Sequence, residues 1–394
     1  MPLTAVRTAQ RIANLPPHPF VALGRRIGEL QARGVDVVRM DAGSPDLPPP
    51  AFILDALEGS ARNPAHHGYP GYFGTPEFRN AVAHYYQKRF GVQLDPATEV
   101  LLLIGSKEGI ANIHFAFVDS GDVVLVTDPG YPNYSLGTRL AGGVPYALPL
   151  RRERGWLPDL STIPKEMVQR AKLMWLNYPN NPTGAGASLE FFEKAVVFAR
   201  EHGVLLCHDN PYCDLTFDGY VAPSIMQVEG AKDIALEFNS LSKTYNMAGW
   251  RIGMVVGNAL AIKALMVVKS NVDAGVFRPI QDAAVAALTG DQGWLAERNA
   301  VYQARRDLIW ETLQDVGMET AKPVGGLYLW ARLPPGVTSS AEFCVELLEK
   351  TGVAFAPGLL HGEQGRDYVR IAMVPSLERC REAMARLRQF VKGI

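Results

Sequence analysis

The chain has 394 residues, enough for two domains of ordinary size, and 47% of them are apolar, enough for a large core. Its net charge is −1 and no long run carries one sign, which argues against a nucleic-acid or membrane-surface role. Four scattered cysteines (Cys207, Cys213, Cys344, Cys380) form no CxxC pair, so a reducing compartment is expected, without a disulfide framework or a metal site. Residues 1–20 lack the apolar core of a signal peptide and no run is long enough to span a bilayer, which makes a cytoplasmic location the expectation.

In chain order, residues 20–33 have helical periodicity and stop at Gly34. VDVVRMDAG then reads as a short strand entering Gly43-Ser44-Pro45-Asp46, a proline-rich turn. A helix is expected from Thr75-Pro76-Glu77, with threonine as its cap and proline in its first turn. From residue 99 strands and helices alternate. EVLLLIG runs into a helix through Gly105-Ser106-Lys107, whose free N–H groups and positive dipole end suit a phosphate. DVVLVTDP is followed by a loop with Tyr131, then a helix and VPYALPL. AKLMWLN ends in the turn cluster around Asn181-Pro182-Thr183-Gly184, and a helix covers about Leu189 to His202. VLLCHD ends at Asp209, with Tyr212 three residues on and Asn210-Pro211 between. IALEFNSLS leads into Lys243, and WRIGMVVGN is the next strand. Helical patterns dominate from Ala259 to about Leu313. After them come VGGLYLWARLP (strand), AEFCVELLEKTG (helix), VAFAPG and YVRIAMV (strands) and a closing amphipathic helix.

This alternation predicts an α/β protein with a mainly parallel sheet covered on both faces. Ligands of such sheets bind at the carboxyl ends of the strands. Ser106, Tyr131, Asn181, Asp209 and Lys243 all fall at or just after predicted strand ends, so they can converge. Taken singly, each has a bland reading: a loop lysine, a packed tyrosine, a capping aspartate.

The stretch FNSLSKTYNMAGWRIG, together with NNPTG and the late YVRI, resembles the cofactor-lysine pattern of fold-type I, pyridoxal-phosphate (PLP) dependent aminotransferases of class I/II. Three spacings agree with that pattern: Asn181 to Asp209, Asp209 to Tyr212, and Lys243 to Arg251. The resemblance covers essentially the whole chain. It implies a large PLP domain (46–281) and a small domain built from 1–45 and 282–394. It makes Lys243 the Schiff-base lysine and places Asp209 against the pyridine nitrogen. Tyr212 and Asn181 fall on the phenolic oxygen, and Tyr131 stacks on the ring. Ser106, Lys107, Ser240, Ser242 and Arg251 hold the phosphate. Arg370 clamps the substrate α-carboxylate beside the Gly43 backbone. Tyr69, with Tyr72 as a close second choice, reaches the phosphate of a neighbouring subunit, which implies a homodimer. Arg278 is either the binder of a distal carboxylate, from the partner subunit, or a helix-start surface charge. Within the family, GSKEG and SNVDAGVFRPIQ stand nearest to bacterial LL-diaminopimelate aminotransferases and related aspartate or alanine enzymes. The expected reaction is transamination between an amino acid and a 2-oxo acid such as 2-oxoglutarate. A PLP-dependent C–S lyase and a non-catalytic PLP-binding regulator are the alternatives.

Overall fold

A computed structural model of the chain describes residues 8–13, 15 and 19–393. The reading of residues 1–20 as lacking a signal core rests partly on residues outside this set.

Seven strands form the main sheet: β1 (Val100–Leu103), β2 (Val123–Asp128), β3 (Val144–Pro149), β4 (Ala171–Asn177), β5 (Leu205–Asp209), β6 (Ala235–Ser240) and β7 (Gly253–Gly257). Their spatial order is β1-β7-β6-β5-β4-β2-β3. β7 runs antiparallel to both its neighbours, and the other pairings are parallel. Every residue of β1, β5, β6 and β7 is buried, so β1 and β7 are unbroken apolar runs, while β5 and β6 also bury polar residues such as His208, Asp209 and Glu237. β3 is an edge strand, and it carries the prolines, Pro145 and Pro149, that a central strand would reject.

Helices close both faces. One face packs Phe78, Val82, Tyr86, Met174, Leu176 and Leu206; the other packs Ile110, Trp175, Cys207, Phe238 and Val255. The helix Pro76–Phe90 starts as its sequence predicts: Thr75 Oγ1 accepts the Phe78 N–H at 3.2 Å, and Gly91 ends it at φ 70°. A further core gathers Val38, Met40, Ile309, Leu329, Ile371 and Met384 around an antiparallel three-stranded sheet of Ala356–Pro357, Tyr368–Ala372 and Tyr328–Arg332.

Two local features go beyond the sequence reading. VAFAPG is two strands: Val353–Ala354 pairs with Val38–Arg39, while Ala356–Pro357 pairs with Tyr368–Ala372. A helix at Ala51–Ala61, hidden in the sequence behind its proline cluster, follows Pro50 directly. The expected division between residues 281 and 282 falls inside the helix Arg278–Thr289, whose Ala283, Ala284, Ala287 and Leu288 are packed in the core of the main sheet.

Candidate active site

Strand register brings the site together. Asn177 stands opposite Asp209, and Asp209 opposite Phe238, so the carboxyl ends of β4, β5 and β6 lie side by side. At that edge a cleft of ≈ 430 Å³ is lined by Gly43, Ser106, Lys107, Tyr131, Asn181, Asp209, Tyr212, Ser240, Ser242, Lys243, Arg251 and Arg370. Twelve of the fourteen residues expected from the sequence therefore share one cavity. A larger groove of ≈ 770 Å³, between Leu157–Lys165 and Phe191–His202, holds none of them.

Lys243 sits on a single helical turn, Leu241–Thr244, directly after β6. Its Nζ donates to Gly43 O at 2.6 Å. Burial pulls the amine below the ordinary lysine range; Tyr328 opposes this, Arg251 and Arg370 add to it, and Asp209 opposes it. Asp209 is buried at the end of β5. Its Oδ2 accepts the Tyr134 hydroxyl at 2.8 Å, while its Oδ1 has no partner. Burial raises this carboxyl to about 6, against the lowering effects of Tyr134, His208 and Lys243. An unpaired buried carboxylate oxygen is costly, and a cationic N–H placed against it removes the cost.

At the other end of the cleft, the helix Ser106–Phe117 begins after Gly105, which caps it without a side-chain bond at φ 67°. A Cβ on Gly105 would stand 2.3 Å from Arg251 Nη2, so the glycine makes room for the guanidinium. Arg251 itself holds a left-handed backbone (φ 55°), uncommon for a residue with a side chain. Its Nη1 donates to Ser242 Oγ at 3.3 Å and Ala248 O at 2.8 Å. Burial, then the nearby Arg251, lowers the Lys107 amine. Two cations (Lys107, Arg251), three serines (Ser106, Ser240, Ser242) and a helix N-terminus thus line one cleft, a dianion-binding arrangement.

Arg370 is buried, with Nη2 donating to Asp41 O at 2.6 Å and Nη1 to Asn181 Oδ1 at 3.2 Å; its Nε is unpaired. The guanidinium lies 4.1 Å from the Tyr328 ring centroid and 5.0 Å from that of Phe20. Tyr328 Oη is 3.5 Å from the Tyr212 hydroxyl and presses on Gly43, where a Cβ would lie 1.6 Å from it. Burial raises the Tyr328 hydroxyl, but Arg370 and Lys243 outweigh it and the group is lowered overall.

Two expected residues do not reach the cleft of their own chain. Tyr69 is 94% exposed. Arg278 pairs with Asp282 at 2.7 Å and Glu77 at 3.6 Å. Other residues in or behind the cleft carried no sequence signal: Phe20, Arg39, Asp41, Asn177 and Tyr328 line it, and Tyr134 braces Asp209 from behind. A tyrosine inside a short helix reads as ordinary packing, and Tyr134 indeed stacks on Trp175 with centroids 4.7 Å apart.

This fold is that of the PLP-dependent aminotransferases. The profile of the family "aminotransferase class I and II" matches residues 35–387, and the chain belongs to that family. It is 50% identical over 386 residues to the LL-diaminopimelate aminotransferase of Moorella thermoacetica, covering 98% of this chain and 99% of that one. It is 48% identical to the enzyme of the same name from Dehalococcoides mccartyi, over 98% and 99% of the two chains. Among solved structures, substrate-bound BacF of Bacillus subtilis superposes with a TM-score of 0.95 at 36% identity, covering 98% of each chain. A Thermus thermophilus aspartate aminotransferase mutant does so with a TM-score of 0.91 at 30% identity, covering 98% of this chain and 99% of that one. The protein is an aminotransferase. Among the described residues no helix is long and apolar enough to cross a membrane.

Proposed function

We propose that the chain holds pyridoxal 5′-phosphate on the amine of Lys243 and transfers the amino group of LL-diaminopimelate to a 2-oxo acid such as 2-oxoglutarate. The observation that carries the cofactor is the pairing, in one cleft, of a buried lysine amine with the unpartnered Asp209 Oδ1. The substrate rests on the relatives named for it, at about half identity over nearly the whole chain.

When bound, the cofactor supplies a protonated ring that accepts electrons from a substrate Cα. Asp209 keeps the proton on the ring nitrogen, and Tyr134 keeps Asp209 aimed at it. Lys243, its amine favoured in the neutral form by burial, takes the proton from Cα. Tyr212 and Asn181 offer donors to the phenolic oxygen; Asn181 Nδ2 makes no hydrogen bond among the described residues. Tyr131 covers the ring. Ser106, Lys107, Ser240, Ser242 and Arg251 receive the phosphate. Arg370 receives the α-carboxylate beside the Gly43 backbone. In a homodimer a second copy supplies Tyr69 to the phosphate, which accounts for its exposure in one chain; Arg278 belongs to the same shared edge. The small domain comprises the N-terminal segment and the chain after Thr289. The cytoplasm is the site of action.

The test is a panel of amino acids offered, without acceptor, to the PLP-loaded protein. Transamination yields one 2-oxo acid per site and then stops until a 2-oxo acid is added. In that half-reaction LL-diaminopimelate should exceed glutamate, aspartate, alanine and aromatic acids in its second-order rate of conversion. Continued release of ammonia with pyruvate from cystathionine, added to the panel for its thiol leaving group on Cβ, would establish an eliminating lyase instead.

A further inference from the structure

Arg39 lines the same cleft as Lys243 and Arg370, yet none of the roles above uses it. It lies on the short strand Val38–Arg39, two residues before Asp41. Its Nε donates to Asp41 Oδ1 at 2.6 Å and its Nη2 to Asp41 Oδ2 at 2.8 Å. That bidentate pair occupies the Nε/Nη2 edge of the guanidinium. The other edge, Nη1 with the second Nη2 proton, has no partner among the described residues. Asp41 is nearly buried, with its side chain 5% exposed, while that of Arg39 is 41% exposed. The arrangement is a fork clamped at one edge and open at the other, the shape that takes a carboxylate.

Asp41 also ties this fork to the α-carboxylate site, because its carbonyl accepts from Arg370 Nη2 at 2.6 Å. The two guanidiniums are thus bridged by one residue. A substrate with a carboxylate at each end can engage both, one at Arg370 and one at Arg39. Charge refines the match. Arg39 and Asp41 together are neutral, so a distal group that is itself neutral, a carboxylate with its own ammonium, leaves no charge uncompensated at the pair.

We propose that Arg39, positioned by Asp41, binds the distal carboxylate of the substrate and thereby selects amino acids carrying a second amino-acid head group. This rests on the α-carboxylate lying at Arg370, as the proposed function has it.

Two readouts test it on the PLP-loaded protein. The first is equilibrium binding of pimelate against hexanoate, which differ by one terminal carboxylate. In Arg39→Gln the preference for pimelate should fall about 10- to 100-fold, as for loss of a charge-assisted bidentate contact, and Arg39→Lys should recover part of it. The second is the ratio of kcat/KM for LL-diaminopimelate over L-lysine, which lacks the distal carboxylate. It should fall in the same order across the variants, with the change carried by KM. If the pimelate preference is the same in wild type and Arg39→Gln, the inference is wrong, even if turnover falls for every substrate. If wild type shows no preference for LL-diaminopimelate but Arg39→Gln still loses pimelate, the inference holds and the substrate named above fails.

Discussion

Replacing Asp209 with asparagine should stabilise the cofactor-free protein while crippling the loaded enzyme. Burial lifts the Asp209 carboxyl from 3.8 to about 6, and its Oδ1 lacks a partner. That rise corresponds to about 3 kcal/mol. The sign follows from proton linkage. Between the two values the folded state keeps a proton that the unfolded chain has released, so stability falls as pH rises through that window and stays lower above it. Asparagine does not titrate, and its Oδ1 still accepts the Tyr134 hydroxyl. In urea unfolding of the apo forms, Asp209→Asn should therefore gain on wild type between about pH 4 and about pH 7, by up to about 3 kcal/mol, and hold that gain at higher pH. Pyridoxal phosphate should narrow or invert the order, because only the carboxylate pairs with a protonated ring nitrogen. Turnover of the variant should drop by about 100-fold or more. A stability difference between the apo forms that does not change with pH would refute the account of Asp209 as a carboxylate awaiting a cationic partner.

Lys243→Ala should lose turnover and the absorption of lysine-bound cofactor; retained full activity would overturn the reading of this residue. Arg370→Ala should raise KM for amino acids about 10- to 100-fold and leave the cofactor bound, whereas release of the cofactor would move that arginine to a different role. Gly43→Ala should cost several kcal/mol in stability or displace Tyr328, because its Cβ would stand 1.6 Å from Tyr328 Oη; a variant with unchanged thermal melting and KM would contradict that contact.

The parts of the site legible in the sequence are those whose local setting is unusual. Asp209 ends an apolar strand, Lys243 follows one after two serines, and Ser106 opens a helix behind a glycine. Each lies where a parallel sheet must expose its carboxyl edge, so alternation alone predicted their convergence. The parts that were not legible sit in unremarkable settings. Tyr134 reaches Asp209 across 75 residues of chain, from a helix that reads as packing. Tyr328 opens one ordinary strand and Arg39 ends another. Tyr328 faces Arg370 because Arg370 stands opposite Trp330, two residues on, which puts all three on one face of the small sheet. Arg39 and Asp41 come to the cleft because residues 38–39 pair with 353–354, an association across more than three hundred residues. Tyr69 and Arg278 show a different limit: spacing locates a side chain along the chain, yet both stand outside the cleft of their own chain. The main sheet thus sets Lys243, Asp209 and Asn181 at or just after its strand ends, where their pattern is readable. Arg39 and Tyr328 enter the cleft from the two smaller sheets, where only tertiary pairing reveals them.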